Sequence, residues 1–256
     1  TGRYKNMNTI DNNPSFSNDI RLYSHSGLCN RLRLIADYKY LSDMRNKKIQ
    51  MHWVKSPQCF SLFSELFEPI ENIEFVYHKY QKNARKMRPR NTASNMGLFP
   101  HDKKIYQKNH LMFKPRQNIA DYIDRVSSSL GKDYIACHIR RTDIITIQNK
   151  YSKQPPTDQF FFDFIEKHPN SKVFLATDNR RTQDKFKTKF GDKIVITGFA
   201  DGNGSQRWPV RTTPVPQAVA DLFLCINSKD FAGTVCSSFS DFIESYREGI
   251  RCQQEN

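Results

Sequence analysis

Tyr134-Ile135-Ala136-Cys137-His138-Ile139-Arg140-Arg141-Thr142-Asp143 is a short apolar run that ends abruptly in a histidine, two arginines, a hydroxyl and a carboxylate. The apolar part reads as a buried strand, and the polar part begins where that strand leaves its sheet. Ligands of open α/β sheets bind outside the carboxyl ends of the strands. Two adjacent guanidiniums placed there point to an anionic ligand, most simply a phosphate or pyrophosphate. For an arbitrary Arg-Arg pair, a surface ion pair at a strand end is the commoner outcome.

On the N-terminal side of this stretch, residues 1–18 are polar and Asn-rich and read as a loose lead-in. Ile20 to Tyr23 reads as a strand running into a Gly-containing turn. Leu32, Ile35, Ala36, Tyr40, Leu41 and Met44 then recur at helical spacing, so Asn30 to Arg45 is expected to be an amphipathic helix. A strand over Lys48–Trp53, a helical stretch marked by Phe60, Phe63, Leu66 and Phe67, and a strand over Ile73–Val76 follow. Lys79 to Lys114 has no readable period. Ile119, Tyr122, Ile123 and Val126 mark a helix that ends near Gly131.

On the C-terminal side, Ile144 to Pro156 reads as a polar loop, and Thr157 as the cap of a helix over Asp158–Lys167. Strands at Val173–Thr177, Ile194–Thr197 and Asp230–Gly233 alternate with a basic helix ending near Phe190 and a helix over Val215–Ser228. Thr234 to Ser240 is a small-residue turn into a last helix, and Asp201 to Pro214 is expected to be a mobile loop. Alternating strands and helices imply parallel sheets. Two such sets divide the chain into Rossmann-like halves, 1–130 and 131–256.

At 256 residues the chain is long enough for this, and 38% hydrophobic with 26% charged residues is ordinary for a globular protein. No apolar run approaches the length of a membrane span, and the N-terminus does not resemble a signal peptide. The chain could be a domain excised from a longer protein. The net charge of +14 suits nucleic acid, an anionic membrane or a phosphorylated substrate. No RNA-binding aromatic signature, zinc-finger spacing or basic zipper accompanies it, so nucleic acid is not the expected partner. Six dispersed cysteines without CxxC favour a reducing, cytoplasmic compartment, with Cys137 and Cys225 as core residues. Without DxD, HxH or HExxH, no protein-held metal is expected.

Polar clusters sit at three expected strand ends: His138 to Asp143, Asp178-Asn179, and Ser237 to Ser240. Arg140 can fork onto phosphate oxygens, while hydroxyls and N–H groups at a helix start hold others. Asp178 can accept from the N1 and N2 donors of guanine. Asp178 or Asn179 could equally cap the next helix, and Ser237-Ser238 could equally make a tight turn. In the first half, Gly27 permits close backbone approach to a ligand, with Asn30 at a helix start; an N-cap after a flexible turn is the alternative. His25 reads as a surface or structural residue.

Ser26-Gly27-Leu28-Cys29-Asn30-Arg31-Leu32, His138-Ile139-Arg140-Arg141-Thr142-Asp143, Phe174-Leu175-Ala176-Thr177-Asp178 and Cys236-Ser237-Ser238-Phe239-Ser240 resemble, in this order, the motifs of the fucosyltransferase superfamily. That group includes the α1,2-, α1,6- and protein O-fucosyltransferases. The resemblance spans residues 26 to 240, and its HxRRxD-like run is the most specific piece. It implies a GT-B fold, two Rossmann-like halves facing each other across a cleft. It also implies GDP-β-L-fucose as donor, a glycan or glycoprotein acceptor, inversion at the anomeric carbon, and no metal or other cofactor. By position, Arg140 would bind the β-phosphate with Arg141 in support, and His138 and Asp178 would contact guanosine. Gly27, Asn30 and Arg31 would approach the donor from the other half, and Ser237, Ser238, Phe239 and Ser240 would cradle phosphate.

In one respect the chain departs from the pattern. The α1,6 enzymes place a Glu shortly after the Arg pair as base, whereas Ile144-Ile145-Thr146-Ile147-Gln148 follows here. A glutamine cannot take a hydroxyl proton as a carboxylate does. Asp143 is the nearest carboxylate and the candidate base, or else it orients Arg141. The small size suits a minimal, viral or bacterial type of catalytic module. The expectation is a metal-independent fucosyltransferase, with a catalytically silent GDP-sugar- or glycan-binding module as the alternative and a basic nucleic-acid-binding protein as a third.

Overall fold

The structure, a computed structural model, describes residues 19–79, 103–142, 154–197 and 213–255. The lead-in at 1–18, Asp143 with the loop to residue 153, and residues 201–212 of the expected mobile loop lie outside the described residues. Two parallel sheets organise the chain. In the first, β1 (Ile20–Ser24), β2 (Ile49–Lys55) and β3 (Ile73–Lys79) lie side by side in chain order, with Ile20 opposite Ile49 and Ile49 opposite Ile73. In the second, β4 (Ile135–Ile139), β5 (Val173–Thr177), β6 (Ile194–Val195) and β7 (Asp230–Gly233) take the order β6-β5-β4-β7. With neighbours on both edges and cover on both faces, all five residues of β4 are buried. That is why the run reads as continuously apolar.

Its alternate side chains enter two cores. Ile135, Cys137 and Ile139 pack with Val173 and Leu175 against Phe161 and Ile165 of α5 (Asp158–Glu166) and Phe186 of α6 (Arg180–Phe190). Ala136 joins Phe174 and the apolar face of α7 (Val215–Ile226) in a larger core that continues into the first half through Leu22, Met51 and Trp53. Cys137 and Cys225 are fully buried, as core residues.

Most of the expected elements form, with informative differences at their ends. α1 (Leu28–Arg45) starts two residues earlier than the spacing suggested, with Gly27 as its N-cap. Thr157 caps α5 by accepting from the Phe160 N–H, as read from the sequence. The helical stretch marked from Phe60 shrinks to α2 (Phe63–Leu66). Glu65 pins its start through the Leu62 N–H, and Phe67 leaves it to bridge Pro115. Phe60 is left 57% exposed. β6 is two residues long instead of four.

Part of the unreadable segment forms α3 (Lys103–Asn109) and a 3-10 turn (His110–Met112), followed by α4 (Gln117–Leu130). α3 had no apolar stripe to betray it because its neighbourhood buries polar groups, Gln107 within the helix and His110 just beyond. It lies between α1 and the long last helix α8 (Ser238–Gln254). α4 packs on α7, so it is held by elements that follow residue 131 in the chain. Among the described residues, no helix is long and apolar enough to cross a membrane.

Candidate functional site

From β4 the chain works outward through β5 to β6, and then α7 carries it back to β7 on the other flank of β4. The carboxyl ends of β4 and β7 therefore form the switch point where open α/β sheets bind ligands. Thr234, fully buried, joins the two ends. Its N–H and Oγ1–H both donate to the His138 carbonyl at 3.0 Å, and its Oγ1 accepts from the Arg140 N–H at 3.0 Å. Arg140 thus leaves β4 with its backbone fixed and its residue half-buried. The sequence showed Thr234 only as part of a small-residue turn; its role depends on the β4–β7 pairing.

Beyond Thr234, Cys236 takes a left-handed conformation (φ 60°) and Ser237 becomes the N-cap of α8. A β-carbon on Gly233 would fall 2.7 Å from Ser240 Oγ, so the glycine lets the helix start close onto the strand. His138 Nδ1 is hydrogen-bonded to Ser240 Oγ at 2.7 Å, and its ring stacks on Phe239 at 4.5 Å. The cluster read at Ser237 to Ser240 is therefore assembled against His138. Ser238 and Phe239 are half-buried. Ser237 differs from its neighbours: it is 0% exposed, makes no capping bond, and its Oγ has no hydrogen-bond partner. An unsatisfied buried hydroxyl is costly and calls for a reason such as a ligand.

Burial, with Arg140 adding to it, pushes the His138 imidazole down to about 3. Burial also holds His110 down to about 4, against the hydrogen bond that its Nδ1 donates to the Tyr106 carbonyl. Both rings are neutral when folded but take protons below their ordinary value of 6.5 once unfolded. Their contribution is therefore fully present above pH 6.5 and is lost as pH falls toward the folded values. Asp221 acts oppositely, since burial raises its carboxyl to about 6 despite hydrogen bonds from Thr197 and Gln217. The expected net result is a loss of about 2 kcal/mol of stability between pH 7 and pH 5.5. Urea denaturation at the two values checks this; stability that holds or rises on acidification contradicts it.

Arg141 and Asp178 have structural partners. The Arg141 guanidinium donates to the Pro156 carbonyl at 3.1 Å and to Asp158 Oδ1 at 2.8 Å, fastening the β4 exit to the start of α5. A cavity of about 380 Å³ opens beside this pair, walled by Pro155 and Pro156. Asp178 Oδ1 accepts from the Arg141 N–H at 2.8 Å, while Oδ2 accepts from the Thr142 N–H at 3.3 Å and from the Thr142 hydroxyl. Asn179 is the residue that caps α6, through the Thr182 N–H at 2.9 Å. With both Asp178 oxygens engaged by the β4 exit, Asp178→Ala is expected to weaken GDP and UDP binding by the same factor. A loss confined to GDP, measured calorimetrically, would instead make the carboxylate a reader of guanine.

The first half supplies a second helix start. Gly27 is buried at the N-cap of α1, and Asn30 is exposed in its first turn. Arg31, grouped from the sequence with the donor contacts, is 0% exposed and lies under the turn. Its Nε donates to the Ser26 carbonyl at 2.6 Å, its Nη2 to Ser56 Oγ at 2.9 Å, and its guanidinium covers the Trp53 ring at 4.5 Å. Ser56 in turn donates to the His25 carbonyl at 2.9 Å. Arg31 therefore supports from beneath the turn that leads into Gly27. Arg33 Nη1, in the second turn of α1, meets Asp241 Oδ2, in the first turn of α8, at 3.1 Å.

No family model and no curated protein sequence matches this chain. Solved structures do match. NodZ alpha-1,6-fucosyltransferase soaked with GDP-fucose matches 90% of this chain and 92% of its own, with a TM-score of 0.60 at 15% identity. Fucosyltransferase NodZ from Bradyrhizobium matches 89% and 93%, at 0.60 and 14%. POFUT1 in complex with GDP-fucose matches 90% and 94%, at 0.59 and 12%. This chain shares their fold. Sequence identity this low carries the architecture and leaves the residue roles to be argued from this chain's own geometry. Among the described residues, no three His, Cys, Asp or Glu side chains are grouped so that they could hold a metal ion.

Proposed function

We propose that the chain is an inverting, metal-independent fucosyltransferase of GT-B arrangement. Residues 1–130 form the acceptor-side half and residues 131–256 the half that binds GDP-β-L-fucose. The observation that carries this reading is the buried, unpartnered Ser237 hydroxyl at the start of α8, beside the β4 exit that presents Arg140. An anion there meets the N–H groups of Ser238, Phe239 and Ser240, the positive end of the helix dipole and a guanidinium. The fold shared with proteins solved with GDP-fucose supports a nucleotide sugar as that anion.

In this mechanism Arg140 and the helix start hold the β-phosphate, and His138 and Phe239 form the adjoining wall. An acceptor hydroxyl, on a glycan or glycoprotein, attacks the anomeric carbon from the face opposite the phosphate. The new carbon–oxygen bond forms as the bond to the β-phosphate oxygen breaks, and the electron pair leaves with GDP. Fixed donors stabilise that charge where other transferases use a cation. Asp143 takes the hydroxyl proton, and attack from the opposite face converts the β-linked donor to an α-linked product.

Titration calorimetry with GDP-fucose in EDTA is expected to show binding undiminished by chelation, followed by transfer with inversion on addition of an acceptor. Binding that disappears in EDTA and returns with magnesium or manganese would defeat metal independence. Donor binding with neither transfer nor hydrolysis would identify a silent GDP-sugar-binding module.

A further inference from the structure

We infer that Arg33 and Asp241 form a clasp that sets the spacing between the starts of α1 and α8, making them positioning residues for a donor held by both helices. This rests on the proposed reading of the cleft but adds two residues that contact no ligand in it. The two lie at opposite ends of the chain, and one guanidinium spans three helices. Arg33 Nη1 meets Asp241 Oδ2 on α8 at 3.1 Å, while Nε donates to the Tyr106 hydroxyl on α3 at 3.4 Å. Asp241 lies one turn beyond Ser237, whose carbonyl accepts its N–H at 2.9 Å. Arg33 lies between one and two turns beyond Gly27. The pair is thus set just behind both helix starts.

Deeper in the same joint, contacts are closely packed. Asn109 Nδ2 donates to the Ala36 carbonyl at 3.0 Å, and His110 stands against Phe242 at 4.9 Å. These fix α3 to α1 and α8 at one end. Arg33 and Asp241, with side chains 21% and 40% exposed, close the end nearest the cleft. A pair this exposed contributes little to stability. Its effect is geometric, because small misplacements of binding groups are expensive in affinity and rate. A bare electrostatic role would have the opposite sign at Asp241, whose carboxylate near an anion site repels a diphosphate.

That sign difference supplies the test. GDP binding is measured by calorimetry for the wild-type chain, Arg33→Ala, Asp241→Asn and the double variant, with thermal unfolding as a control. The clasp predicts that each single change weakens GDP by about tenfold, and that the double variant is no weaker than the worse single. Melting points should stay close to wild type. Tighter or unchanged GDP binding in Asp241→Asn, or losses that add in the double variant, would overturn it. Hydrogen exchange without ligand separates this from failure of the donor reading. Amides of α3 and α8 should exchange faster in both single variants whether or not GDP binds. Exchange identical to wild type would overturn the clasp, whereas faster exchange in a chain that ignores GDP would overturn only the donor reading.

Discussion

Arg140→Ala is expected to lower turnover on the order of 100-fold or more, with a smaller loss of GDP-fucose affinity. The asymmetry follows from when the charge appears. On the proposed reading, the ground-state diphosphate shares its charge with the sugar linkage, and the start of α8 holds part of it. As the fucose–oxygen bond breaks, negative charge gathers on the β-phosphate, and a guanidinium at the β4 exit interacts more strongly than before. Only such differential interactions accelerate the chemical step. The backbone of Arg140 is fixed by Thr234, so the side chain begins from a defined position. Arg140→Lys keeps the charge but loses the planar fork, and is expected to remain well below wild type. Steady-state kinetics on variants with native circular dichroism measure both. A folded Arg140→Ala chain with near-normal turnover would remove Arg140 from the mechanism.

Arg140 and its neighbour Arg141 show what a sequence can and cannot convey. The run from Tyr134 to Ile139 identified a buried central strand because burial on two faces leaves a compositional trace along the strand itself. Some local devices were readable too: Thr157 caps the helix that follows it and Gly131 ends α4 at φ 86°, while the choice of Asn179 over Asp178 as the next cap was settled only by the structure. Arg140 and Arg141, by contrast, are chemically identical neighbours that the motif alone does not tell apart. Arg141 turns to Pro156 and Asp158, partners that become its neighbours only because α5 packs beside β4. Arg31 likewise sits under a turn because Trp53 and Ser56 come from the next strand and the loop beyond it. Motif order carries no information on where a long cationic side chain points, because that direction depends on tertiary neighbours. α3 escaped notice for a related reason. Helical periodicity is visible when an apolar face meets an apolar core, and α3 meets α1 and α8 through Tyr106, Gln107 and Asn109.

That polar joint carries the largest expected effect on stability. Alanine is ordinarily the better residue in the middle of a helix, by about 1 kcal/mol over glycine. Gly249→Ala in α8 is nevertheless expected to destabilise the chain by about 2 to 3 kcal/mol, because overpacking outweighs propensity here. A β-carbon at residue 249 would stand 2.4 Å from the Gln107 carbonyl oxygen and 3.0 Å from its carbon. The obstacle is backbone, so no side-chain rotation relieves it, and the Leu111 side chain closes a third direction at 3.3 Å. α8 must then lift from α3 along its length. Because α8 also carries Asp241 and begins at the Ser237 cap, lifting it should weaken GDP binding as well. Urea denaturation of Gly249→Ala against wild type measures the first effect, and calorimetry with GDP the second. A stabilised variant would mean that the helices separate easily at this crossing, and the close backbone approach would then not be what holds α8 to the first half.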